Sequence, residues 1–103
     1  MEYSLRTENV VLSVPDRKLL NEKLGKLDKF VRTPYVADVA LIHTSHANSP
    51  VTCIINIEQG KHVFHAQREG NTIQTSTLGV VEALEKEIKK QRGKQRVQER
   101  VRN

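Results

Sequence analysis

Apolar and polar residues change their period several times along this chain, and each change marks an element. From Glu2 to Thr7 they alternate, Tyr3 and Leu5 against Glu2, Ser4 and Arg6, the period of a half-buried strand. Ser13-Val14-Pro15-Asp16 then reads as a helix start. Ser13 can accept a bond from a free backbone N–H, Asp16 stands three residues on, and Pro15 gives up no helical bond in the first turn. The spacing predicts a helix over 14–31, with Leu20, Leu24, Leu27 and Val31 on one narrow face that Leu19 and Phe30 widen. Thr33-Pro34 should end it, because a residue before proline avoids helical angles.

Three strands are predicted next. In 36–44, Ala37, Val39 and Leu41 share a face; in 51–58, Val51, Cys53, Ile55 and Ile57 do; in 61–68, Phe64 and Ala66 do. Ser45 to Pro50 is a turn by composition, and Gln59-Gly60-Lys61 a tight hairpin. Gly70-Asn71-Thr72 should break the last strand and cap a second helix, whose buried stripe is Ile73, Thr77, Val80, Leu84 and Ile88. Continuing that period reaches Gln91 and Gln95, which are polar, so the helix has nothing left to bury. Beyond this point it either projects from the domain or frays. The order β-α-β-β-β-α implies an α+β two-layer sandwich, two helices on one face of a four-stranded sheet. The first β-α-β step needs a right-handed crossover, so the first strand should lie parallel to its neighbour. We expect one domain over 1–93 and a basic C-terminal extension over 94–103.

Charge changes the picture most. The chain carries 17 basic and 12 acidic residues, a net +5, and its last stretch, Glu87 to Asn103, holds seven of the basic and two of the acidic ones. All the excess charge therefore sits at one end, where i, i+4 pairing no longer accounts for it. An acidic partner follows, with nucleic acid and anionic membrane the common candidates and improved solubility the plain alternative. Aromatic residues make up only 4%, without tryptophan, which argues against base-stacking platforms and large aromatic-lined pockets. No apolar run approaches a membrane span and no secretory leader is read at the start, so the expected setting is cytoplasmic.

Catalysis finds no support. His62 and His65 are three apart in a strand and should point to opposite faces. No HExxH, paired cysteine or His-carboxylate spacing suggests a metal, and the glycines form no phosphate-binding pattern. Cys53, the only cysteine, has core-facing parity and reads as a buried filler. On the first helix Lys18, Glu22, Lys26 and Lys29 lie opposite the leucine stripe, although Glu22 and Lys26 also fit a simple i, i+4 pair. On the second, Glu82–Lys86 and Glu85–Lys89 repeat that spacing. In a two-layer fold both outer helix faces look the same way, so their cations could form one surface that grips phosphates rather than reading bases.

The segments "NVVLSVPDRKLLNEKLGKLDKF" and "HVFHAQREGNTIQTSTLGVVEALEKEIKKQRGK", in this element order, resemble the short ribosome hibernation-promoting factors. That family also includes the ribosome-associated inhibitor and the sigma-54 modulation proteins. Arg17, Lys23, Lys26 and Leu27 on the first helix fall where the family carries such residues, as do Glu69-Gly70 and then Lys86, Lys90, Arg92 and Lys94 on the second. Thr72-Ile73-Gln74 departs from the family's Asp-Met-Tyr-like helix start. The resemblance implies a fold like that of double-stranded-RNA-binding domains and a non-enzymatic factor that binds rRNA of the small ribosomal subunit. Such a factor would occupy the decoding region and block the messenger and transfer RNA sites. It implies contacts through Arg17, Lys23, Lys26, Lys86, Lys90, Arg92 and Lys94, with Lys18, Lys29, Lys89 and Arg96 as lesser candidates. No cofactor, metal, membrane or small-molecule substrate is expected, and the free protein is expected to be a monomer. A general structured-RNA module or ribosomal protein, and a sigma-54-type protein-interaction factor, are the alternatives.

Overall fold

A computed structural model describes residues 1–45, 48 and 50–102, with side chains described as far as Gln91. Its elements are β1 (Ser4–Glu8), α1 (Val14–Leu27), β2 (Val36–His43), β3 (Val51–Gln59), β4 (His62–Gly70) and α2 (Ile73–Arg102). The strands form one sheet in the order β1-β2-β3-β4. As the crossover rule requires, β1 is parallel to β2, while β2–β3 and β3–β4 are antiparallel. The expected α+β sandwich is the observed architecture.

The capping signal at Ser13 operates as read. The Asp16 N–H donates to Ser13 Oγ at 3.2 Å, and the Ser13 N–H donates to the Asp16 carboxylate at 3.1 Å. Leu20, Leu24 and Leu27 are fully buried, each contributing about 1.5–3 kcal/mol of transfer free energy. α1 ends four residues before the predicted boundary: the Phe30 N–H donates to the Leu27 carbonyl at 2.9 Å, a tightened last turn. Val31 is still buried. Inward-pointing residues kept the apolar spacing after the helix had stopped, which is why spacing alone overran the end.

From the sheet, Ala37, Val39 and Leu41, then Cys53, Ile55 and Ile57, then Phe64 and Ala66 form one core with Leu20, Leu24 and Leu27 of α1 and Val80, Val81, Leu84 and Ile88 of α2. β1 departs from expectation, all five of its residues being exposed. It is an edge strand with one neighbour, so the helix-side position of Leu5 is only partly covered. The β3–β4 hairpin turns at Gly60, whose φ of +59° suits glycine. The turn expected over Ser45 to Pro50 includes His46, Ala47 and Ser49, which lie outside the described residues; the Thr44 N–H donates to the Pro50 carbonyl at 2.8 Å.

α2 is one continuous helix through Gly93 to Arg102. Nine-residue β4 spans about 30 Å, whereas thirty-residue α2 spans about 45 Å. The helix therefore outruns the sheet, and Ile88 is the last buried residue among the described side chains.

The register sets out the other face of the sheet in rows across the strands. Ser4, Asp38, Asn56 and His65 form one; Arg6, Ala40, Ile54 and Gln67 the next; Glu8, Ile42, Thr52 and Glu69 the last. Val36, Glu58 and Val63 complete the face at the opposite end. The helices cover none of these positions.

Candidate nucleic-acid interface

Chain direction determines where the cations gather. β1, β2 and β4 run the same way, and each helix returns from the end of a strand, α1 after β1 and α2 after β4. The two helices are therefore parallel, with their C-terminal halves at the same end of the sheet. Two contacts mark that end. Lys89 Nζ stands 5.1 Å from the centre of the Phe30 ring. Gln91 Nε2 lies 3.4 Å from His62 Nδ1, joining α2 to the β3–β4 hairpin. His62 also stacks on Phe64, 6.3 Å between ring centres.

Lys26 of α1, Lys29 just beyond its end, and Lys86, Lys89 and Lys90 of α2 are exposed at or near this end, and Lys23 is half-buried on the flank of α1. The helix dipoles favour the arrangement, since both negative ends point there. Among the described residues the only side-chain ion pair is Lys89 with Glu85, at 3.1 Å. Held by a carboxylate and an aromatic face, Lys89 is less free than Lys86 or Lys90 to reach a ligand.

The remaining predicted residues do not all join this cluster. Lys18 is exposed in the first half of α1, away from it. Arg17 sits on the β1 shoulder of α1. There its guanidinium opposes the upward shift that burial imposes on the Tyr3 phenol, and the Tyr3 hydroxyl donates to Asn21 at 2.5 Å. The side chains of Arg92, Lys94 and Arg96 lie outside the described residues, though their backbone continues α2 away from the sheet.

Two exposed cations that sequence reading passed over belong to the same end. Arg32 lies in the α1–β2 connection and Lys61 in the β3–β4 hairpin. Lys61 stands apart in sequence from other lysines and arginines, and Arg32, three residues after Lys29, lies beyond the end of α1, so the direction of the strands assigns them here. The N-terminus is anchored beside them: its ammonium lies 3.8 Å from the Asp28 carboxylate, and the Tyr35 hydroxyl donates to that carboxylate at 3.2 Å.

No group of His, Cys, Asp and Glu able to hold a metal occurs among the described residues. Cys53 is fully buried, and burial pushes its thiol up to about 11, away from the reactive thiolate. The Thr77 hydroxyl, buried with no oxygen or nitrogen partner, has only the weak contact with this thiol. No described helix is long and apolar enough to cross a membrane.

Comparison with known proteins adds the following. The family model described as "Sigma 54 modulation protein / S30EA ribosomal protein" matches residues 3–96. The crystal structure of the Thermus thermophilus Protein Y N-terminal domain is similar, with a TM-score of 0.72 at 20% identity, over 85% of this chain and 94% of that one. So is a ribosomal subunit interface protein from Coxiella burnetii, with a TM-score of 0.73 at 14% identity, over 90% and 99% of the two chains. At these identities the two structures establish the shared fold. Among curated proteins, no sequence matches the chain.

Proposed function

Since this chain belongs to the Sigma 54 modulation protein / S30EA ribosomal protein family, we propose that it is a ribosome-hibernation factor acting by occupation. In this reading it binds the small ribosomal subunit in the decoding region through the basic end of its helical layer. It thereby excludes messenger and transfer RNA. It acts in the cytoplasm as a monomer, without cofactor or catalysis.

The observation that carries the reading is the convergence of Lys26, Lys29, Lys86 and Lys90 at one end of two parallel helices, extended by the basic residues of α2 beyond the sheet. Physically, each ammonium that meets a phosphate releases a condensed counterion, and that release drives binding. The cluster lacks aromatic platforms, so it suits backbone and shape rather than base sequence. Glu82, on the N-terminal side of the cluster, disfavours phosphate there and helps fix the orientation in which the protein docks. The packed core under both helices fixes the spacing of the backbone positions that carry the cations, so the ordering left for binding is that of the lysine side chains, about 0.5–1.5 kcal/mol each.

Sedimentation with purified small subunits at rising salt tests this. If about seven phosphates are contacted, log affinity falls against log salt with a slope near −5, using ~0.7 per contact. Charge reversal at Lys26, Lys86 and Lys90 should weaken binding and flatten that slope by about 2. Messenger RNA already bound in the subunit should compete. Association that survives those reversals would sink the site assignment, and equal affinity for free duplex RNA would favour a general RNA-binding module.

A further inference from the structure

We propose that the uncovered face of the sheet is a second docking surface, and that its partner is a Lys/Arg-rich, partly apolar stretch of polypeptide. This rests on the ribosome-binding reading above. The face is opposite in sign to the helical end: Glu8, Asp38, Glu58 and Glu69 project from it, against Arg6 alone among its lysines and arginines. Between the carboxylates lie apolar side chains. Val63 is 61% and Val36 57% exposed on either side of Glu58. Ile42 and Ile54 are half-buried.

The small side chain of Ala40 leaves a shallow depression of about 330 Å³, lined by Ser4, Arg6, Asp38, Ala40, Ile54 and Asn56. Ser4 donates its hydroxyl to the Asp38 carboxylate, and His65 pairs with Asn56 along the same row, so the polar rim is held in place.

This chemistry selects among partners. Phosphates would meet four carboxylates and no aromatic platform. A second copy pairing face to face would set like charges against each other. A basic polypeptide satisfies both components: the methylene stems of lysine and arginine lie along Ile54, Val63 and Val36 while their charged ends reach Glu58, Glu69 and Asp38. With the helical layer on RNA, this face looks the other way, toward whatever protein borders the binding channel.

The test uses the full chain bound to purified small subunits, with a photo-crosslinking amino acid placed either at Val63 on the sheet or at Lys26 on the helical layer. The Lys26 probe should label rRNA. The Val63 probe should label a ribosomal protein, in a peptide rich in lysine and arginine. Adding Glu58→Lys and Glu69→Lys should reduce that label roughly tenfold while leaving the Lys26 label in place. A Val63 label on rRNA, on a neutral or acidic peptide, or on nothing while Lys26 still labels rRNA, overturns the proposal alone. Loss of both labels overturns the ribosome-binding reading and this inference with it.

Discussion

Replacing glycine by alanine adds one methyl group, and in this fold the same addition should have opposite effects at two positions. A Cβ on Gly70 would lie 2.8 Å from the Ser76 backbone nitrogen, 3.1 Å from Thr75 Cβ and 3.2 Å from Thr75 Cγ2. Those atoms belong to the first turn of α2, held by the Thr75 N–H on Thr72 Oγ1 at 3.1 Å and the Ser76 N–H on the Thr72 carbonyl at 3.2 Å. Backbone has to move, an overpacking cost of about 1–3 kcal/mol. The reduced freedom of the unfolded chain returns only about 0.4–1 kcal/mol. Gly70→Ala should therefore destabilise by about 1–2 kcal/mol, and Tm should drop by roughly 5–15 °C at about 4–8 °C per kcal/mol.

Gly25 is the control. Nothing lies within 4 Å of its would-be Cβ, and it sits inside α1. Gly25→Ala should stabilise by about 0.5–1 kcal/mol. Gly79 falls between, because its Cβ would meet only the flexible Arg68 side chain, at 3.3 Å from Cγ. Urea unfolding followed by circular dichroism gives the three free energies. The expected order is Gly25→Ala above Gly79→Ala above Gly70→Ala, and a Gly70→Ala variant that is not the least stable of the three refutes the close approach of β4 to the start of α2.

Three further outcomes are expected. Burial raises the Cys53 thiol from 9.0 to about 11, so its contribution to stability is intact below pH 9 and is lost as pH rises toward 11. That loss is about 3 kcal/mol; Cys53→Ala should flatten the pH profile over this window, and an unchanged profile would place the thiol outside the core. Ser13→Ala should cost about 1 kcal/mol in urea unfolding, since the Asp16 N–H loses the hydroxyl oxygen that accepts it, while the Ser13 backbone N–H keeps the Asp16 carboxylate. Charge reversal at Lys89 should weaken small-subunit binding less than reversal at Lys86 or Lys90, because Glu85 and Phe30 already engage it; equal losses in sedimentation would contradict that.

The legible part of the structure was local. Ser13 with Asp16 announced a helix because both partners of the capping box lie within one turn. Cys53, Ile55 and Ile57 announced a buried strand face because period two assigns alternate residues to one side. Thr77, Val80, Leu84 and Ile88 were read as the stripe of α2 and are buried, whereas Ser76 and Val81, buried beside them, widen that stripe beyond the spacing and Ile73 is only half-buried. The overrun of α1 to Val31 has the same origin, since a turn that keeps pointing inward carries the same spacing as a helix.

By itself, then, the sequence determined which residues are helical, which are extended and which are core, since those depend on neighbours a few positions away. Only the tertiary structure decided which cations meet. Arg17 and Lys26 share a helix yet part company, one beside Tyr3 and the other at the basic end, while Arg32 and Lys61 join that end from separate connections. The same pairing collects Glu8, Asp38, Glu58 and Glu69 from four different strands onto one face. Strand direction and register bring distant residues together, and a local periodicity holds no record of either.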